Sequence, residues 1–263
     1  MNAQRVPVNR VKVAYGDSPS NFGHIYHAAG TGADERRMRP IVLIHGGYWS
    51  AEFSLTIQSA IARQYAELGA LVWSIEYRRV GEPGGGWPGT GRDAVAAIKA
   101  LDDLVPEALD PLVAGRVDWS QVAVVGHSAG GQLAVWSTAQ LRARTRNTTI
   151  STVVAQSAAL NLEAAARSGS ESVLALVGRP YEEAPHLYRE ASPWAQEPFD
   201  AHVVAIHAAD DTTIPPIVSR RYVDRMTERG QSAELVEVPD EGHSAFCDPR
   251  SRANRETARV LGI

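Results

Sequence analysis

Strand-length runs rich in Val, Ile and Leu recur along the chain at residues 41–45, 71–77, 122–126, 152–157, 202–207 and 234–238. None of them alternates apolar with polar residues. Because successive side chains of a strand point to opposite faces, a strand with one wet face shows that alternation, and an unbroken apolar strand is covered on both faces. Helical patterns separate the runs, at residues 53–68, 91–104, 129–141, 217–229 and 250–261, with Gly69 and Gly230 placed as C-terminal stops. A βαβ order of this kind predicts right-handed crossovers and a doubly wound, mostly parallel sheet of the α/β class. Residues 10–15 and 21–27 do alternate and suit an antiparallel hairpin at one sheet edge.

A chain of 263 residues that is 44% hydrophobic and 21% charged can bury one large core, so residues 1–263 read as a single ordered domain. The stretch at residues 160–198 breaks the rhythm. It carries short helical patterns at 162–167, 172–177 and 185–190 and prolines at 180, 185, 193 and 198, and reads as a small cap inserted between strands. A net charge of −4 offers no excess of cations to neutralise a phosphate backbone, which argues against a nucleic-acid partner. Cys247 is the single cysteine, so no intramolecular disulfide forms and no Cys-rich zinc site exists. Residues 1–10 lack the apolar run of a signal peptide and no long uninterrupted apolar stretch follows; the expectation is a soluble, cytoplasmic protein without a membrane anchor.

The chemistry-bearing signal is Gly126-His127-Ser128-Ala129-Gly130, a G-x-S-x-G pentapeptide between an apolar strand and a helical pattern. Glycines two before and two after the serine relieve crowding where the chain reverses, which lets Ser128 hold a strained conformation with its hydroxyl exposed. A serine hydroxyl is a weak nucleophile until a base takes its proton. Asp210 and Asp211 follow the run ending at residue 207, and His243 follows the run ending at 238, so all three residue types fall at carboxyl ends of parallel strands, in the order Ser, Asp, His. His127 abuts the serine but is expected to point elsewhere; His202 and His207 bracket a strand, His186 falls in the cap, and His24, His27 and His45 read as structural.

Together with His45-Gly46-Gly47-Tyr48-Trp49, Asp211-Thr212-Thr213-Ile214-Pro215 and Gly242-His243-Ser244, the pentapeptide resembles the α/β-hydrolase superfamily from about residue 40 onward. The His-Gly-Gly group is similar to that of hormone-sensitive-lipase-like carboxylesterases, and its continuation through Tyr48-Trp49 resembles the kynurenine formamidases (arylformamidases). The resemblance implies Ser128 as nucleophile, His243 as general base and Asp211 as the orienting acid. Asp211 is chosen because the acid in related hydrolases precedes two residues and a Val/Ile-Pro pair, here Ile214-Pro215; Asp210 is the alternative, one residue away. It also implies an oxyanion hole from the amides of Gly46 or Gly47 with Ala129. Tyr48 and Trp49 adjoin that loop and are candidates to bind substrate, and Trp87 and Trp194 either line the same pocket or pack in the core.

Such a site needs no metal and no organic cofactor. Its expected substrate is a small-molecule ester or amide; a formamide of the N-formylkynurenine type and ligand capture without turnover are the alternatives. A peptidase of the prolyl-oligopeptidase type lacks its propeller here, and a dehalogenase needs a carboxylate where Ser128 stands. A homodimer is left open, since sequence alone shows no interface.

Overall fold

The structure, a computed structural model, describes residues 6–29 and 37–263. The opening residues 1–5, part of the stretch read for a signal peptide, lie outside the described residues. Eight strands, β1 (Val8–Ala14), β2 (Phe22–Ala28), β3 (Pro40–Ile44), β4 (Leu71–Ile75), β5 (Val122–His127), β6 (Ile150–Gln156), β7 (His202–Ala208) and β8 (Ala233–Val238), form one sheet among the described residues. Its order is β1-β2-β4-β3-β5-β6-β7-β8. β1 pairs with β2, and β2 with β4, in antiparallel fashion, and every other pairing is parallel.

The helices are α1 (Ser59–Glu67), α2 (Gly89–Lys99), α3 (Leu104–Glu107), α4 (Pro111–Ala114), α5 (Ala129–Gln140), α6 (Leu162–Arg167), α7 (Glu171–Val177), α8 (Pro185–Ala191), α9 (Ile217–Glu228) and α10 (Arg252–Leu261). The unbroken apolar strands are explained by two cores. On β3, Val42 and Ile44 enter one core and Ile41 and Leu43 the other; on β5, Val122 and Val124 oppose Ala123 and Val125. The first core is closed by Ala94 and Ile98 of α2, Leu133 of α5, and Val173 and Leu176 of α7. The second is closed by Ile61 and Tyr65 of α1 and Ala253 and Leu261 of α10. Each fully buried aliphatic side chain of this kind stabilises the fold by roughly 1.5–3 kcal/mol.

The edge strand β1 alternates as the sequence predicts, whereas β2 is largely buried between β1 and β4, and β8, predicted as an unbroken apolar strand covered on both faces, is instead the other, partly exposed edge. β1 exposes Asn9, Arg10 and Lys12, and β8 exposes Glu234 and Glu237, charges that discourage pairing with another sheet. β2 joins the hairpin to β4, where Tyr15 packs edge-on against Trp73 and its hydroxyl donates to the Glu76 carbonyl at 2.6 Å.

Two helices differ from expectation. The pattern at 53–68 opens instead on a 3-10 turn, Leu55–Gln58, whose first amide, that of Leu55, donates to the Glu76 carboxylate at 3.0 Å. The pattern at 91–104 stops at Lys99, and Asp103 then caps α3 by accepting from the Leu104 amide at 2.8 Å. Asp110 and Pro111 start α4 in the same way, a cap followed by a first-turn proline that the sequence reading passed over. α5 is buried on nearly all sides, so it lacks an amphipathic pattern.

Trp73 is 1% exposed and its indole donates to the Ala97 carbonyl at 2.9 Å, joining β4 to α2 while its ring carries the hairpin. Trp73→Ala is expected to lower unfolding free energy by about 3–5 kcal/mol, read from urea midpoints at constant m-value.

Candidate active site

β5 ends at His127 and α5 begins at Ala129, leaving Ser128 alone to make the reversal at φ +56° and ψ −117°. A non-glycine residue there stores on the order of 1–3 kcal/mol of strain, and the surroundings hold it. The Ser128 amide donates to Gln156 at 2.9 Å, and its carbonyl accepts from Gly131 at 3.0 Å and Gln132 at 3.2 Å. A Cβ on Gly126 would collide with the Gly130 carbonyl, and one on Gly130 with the carbonyls of Ile44 and His45. The glycines are thus required by backbone packed on backbone.

Beyond β7, Asp211 is 5% exposed and all of its carboxylate is used. Oδ1 accepts from the amides of Thr213 at 2.8 Å and Ile214 at 2.9 Å, while Oδ2 lies 2.7 Å from His243 Nδ1. His207, fully buried, brings its Nε2 to 3.5 Å from the same oxygen and 2.8 Å from the Ile214 carbonyl. Burial alone raises the Asp211 pKa, but the hydrogen bonds from His207, His243 and Ile214 outweigh it and hold the carboxyl well below the usual range. Asp210 is exposed and takes no part.

His243 opens a 3-10 turn, His243–Cys247, beyond β8. Its position is fixed by a residue expected to point away: His127 Nε2 lies 2.9 Å from the His243 carbonyl, and the two rings stand 4.7 Å apart. A carbonyl only accepts, so His127 Nε2 carries the proton. Burial, reinforced by the neighbouring His243, lowers the His127 pKa to about 3. The residue before the serine thereby holds the imidazole of a distant loop at the elbow.

The loop after β3 completes the site. A Cβ on Gly46 would come within 2.7 Å of the His127 carbonyl and 3.1 Å of Ser128 Cβ, so this loop rests directly on the elbow. Gly47, Tyr48 and Trp49 follow at φ +106°, +57° and +55°. Among the described residues, no acceptor takes the amides of Gly46, Gly47 or Ala129.

Beneath the loop lies Glu76, 2% exposed. Its Oε1 is 2.7 Å from His45 Nε2 and accepts from the Tyr77 amide at 3.1 Å, and its Oε2 is 3.4 Å from Arg79 Nη1. His45 stacks on Tyr77 at 4.5 Å, and the Tyr77 hydroxyl donates to the His45 carbonyl at 2.9 Å. Trp49 Nε1 donates to Gln132 of α5 at 3.0 Å, and Gln132 donates to the Ala191 carbonyl at 2.8 Å, tying loop, elbow helix and insert together.

A cavity of about 580 Å³ opens over Ser128 and Ala129, walled mainly by apolar residues such as Leu160, Val173, Trp194 and Ile214. Tyr48, 46% exposed, and Trp49, 2% exposed, both border it. Trp87 does not; it packs edge-on against Trp136 at 4.6 Å. No group of three or more His, Cys, Asp or Glu residues suited to a metal occurs among the described residues. A hydroxyl, an imidazole backed by a carboxylate, and unengaged amides near a largely apolar cavity are the parts that acyl transfer needs. Sequence reasoning missed Glu76, His207 and Gln132. An ionisable residue directly after the apolar run of β4 was the available signal for Glu76.

A family profile described as the alpha/beta hydrolase fold matches residues 41–247. No curated protein matches the sequence. Solved structures include esterase B from Lactobacillus rhamnosis, 17% identical at a TM-score of 0.79, with 98% of this chain and 87% of that one covered. A Pyrobaculum calidifontis esterase is 23% identical with a TM-score of 0.71, covering 99% and 85%. A bacterial heroin esterase is 20% identical with a TM-score of 0.75, covering 99% and 84%. At these identities the likeness is one of fold. No helix among the described residues is long and apolar enough to cross a membrane.

Removing the Glu76 carboxylate strands the buried His45 and the amides of Leu55 and Tyr77, while Arg79 keeps Glu82; Glu76→Ala is expected to cost about 3–5 kcal/mol by urea denaturation. His127 has a folded pKa of about 3, below the ordinary value of about 6.5, so its contribution to stability is complete above about pH 6.5 and is lost as pH falls toward 3. Asp211, also depressed, loses its contribution at still lower pH. Unfolding free energy is therefore expected to decline from pH 7 to 4, and His127→Gln to flatten that slope.

Proposed function

Because the chain belongs to the α/β hydrolase fold family, we propose that it is a serine hydrolase that cleaves carboxylic esters through an acyl-enzyme on Ser128. The observation that supports this most is the strained Ser128 reversal together with the Asp211–His243 pair, whose loop is held to the elbow through His127. In the proposed reaction His243 Nε2 takes the Ser128 proton as the oxygen attacks the carbonyl carbon. Asp211 keeps Nδ1 protonated and stabilises the imidazolium that forms. The tetrahedral oxyanion is held by amides of Gly46 or Gly47 and of Ala129, which have no competing acceptor among the described residues. His243 then returns the proton to the leaving alcohol, and water activated by the same imidazole releases the acid.

The insert carrying α6, α7 and α8 serves as a small cap over this site, supplying Leu160 and Val173 to the cavity wall. A cavity of about 580 Å³ with apolar walls has room for acyl groups larger than formyl, which favours an ester with a hydrocarbon portion. The esterase neighbours agree with that choice. Arylformamidase action is the second reading, drawn from the exposed Tyr48 ring at the cavity, a surface on which an aryl amine could stack.

A fluorophosphonate probe is expected to label the protein, and Ser128→Ala to abolish labelling and to lower kcat for p-nitrophenyl esters by roughly 10⁴-fold. Folded protein that is never labelled is a binder instead. Comparing kcat/KM for N-formylkynurenine with that for short p-nitrophenyl esters separates the two enzymes; an ester advantage above about a hundredfold, ~2.7 kcal/mol, removes the formamidase.

A further inference from the structure

The wall of the cavity opposite in character to the rest is the N-terminal part of α9. Arg221 stands one turn beyond Ile217 and Val218 on that helix and all three border the cavity, shortly after Ile214 and Pro215 of the turn that Asp211 anchors. Arg221 is the one charged side chain bordering the cavity among the described residues, and no carboxylate borders it.

The other arginines of α9 and its C-terminal cap are engaged. Arg220 pairs with Glu237 at 2.7 Å, Arg229 pairs with Glu197 at 2.9 Å, and Arg225 lies 4.8 Å over the Trp194 ring. Arg221 has no hydrogen-bond or ion-pair partner among the described residues, although Asp224 stands three residues on along the same helix. A guanidinium left unpaired beside an apolar pocket offers a fork of donors whose natural complement is a carboxylate.

Resting on the ester-hydrolase reading above, we propose that the substrate carries a carboxylate at the end of an apolar portion, and that Arg221 binds it while the scissile carbonyl meets Ser128. A carboxylate fits better than a phosphate. One cation against a dianion would leave uncompensated charge beside apolar walls. Arg221 is thus a specificity-determining residue for a class of half-ester or acid-bearing aryl ester substrates. Arg221 is exposed, so the interaction is solvated and its effect should be moderate and sensitive to salt.

Two isosteric pairs test the proposal: p-nitrophenyl hydrogen adipate against p-nitrophenyl hexanoate, with the acid on the acyl side, and 4-acetoxybenzoate against 4-methylphenyl acetate, with the acid on the leaving group. The expected result is a ratio of kcat/KM, anionic over neutral, that falls about tenfold in one pair on Arg221→Gln, equivalent to about 1.4 kcal/mol. Arg221→Lys should recover part of it, and the wild-type ratio should shrink as salt is raised. An unaltered ratio in both pairs overturns the proposal. The same pairs titrated into Ser128→Ala protein read binding without turnover: tighter binding of an anionic member that Arg221→Gln removes supports the proposal, and equal affinities overturn it. Failure of the wild-type protein to cleave any of the four esters removes the ester-hydrolase reading, while the titration still decides the role of Arg221.

Discussion

Backbone packed directly on backbone at the carboxyl ends of β3 and β5 is the constraint from which the site follows. Gly130 approaches the carbonyls of Ile44 and His45 so closely that no side chain fits between them, and Gly46 lies against the carbonyl of His127. Two parallel strands that are neighbours in the sheet can bring their following loops this near only if side chains are absent from the contact. Once that approach is made, Ser128 is held in its strained reversal between β5 and α5.

Strain and buried charge of this kind must be offset elsewhere, and the molecule does so with buried polar groups that are fully bonded. Glu76 gathers His45, Arg79 and two amides beneath the loop after β3, and Asp211 gathers His207, His243 and two amides beneath the loop after β8. Each carboxylate fixes a histidine, yet the surroundings differ: His45 is sealed in by the stacked Tyr77, whereas the His243 side chain is 15% exposed. In the proposed reaction, that difference in access is what suits His243 and not His45 to exchange a proton. The insert is drawn into the same scheme through Trp49, Gln132 and the Ala191 carbonyl, so the wall of the cavity is coupled to the elbow it covers.

Much of this was legible in the chain. The doubly wound sheet followed from runs such as 41–45 and 122–126, because a strand covered on both faces has no reason to alternate. The edge hairpin followed from the opposite pattern in 10–15. The G-x-S-x-G placement told where the chain had to reverse, since glycines flanking a serine between strand and helix serve a steric need. His127 was misread for an equally physical reason: its partner, the carbonyl of His243, comes from a loop more than a hundred residues away, and nothing local in the sequence signals a long-range backbone acceptor. Trp87 shows the same limit, its partner Trp136 lying on another helix.

By itself, then, the amino-acid order determined which segments become buried strands, where the sharp turn falls and which residue types stand at the sheet edge, because side-chain periodicity and backbone sterics act over a few residues. The tertiary structure settled the choice between Asp211 and Asp210 as the partner of His243, and it alone decided that His127 bonds the His243 backbone and that Arg221 borders the cavity without a partner among the described residues. Those outcomes depend on the register in which distant loops meet above the sheet, and that register is set by packing the whole core.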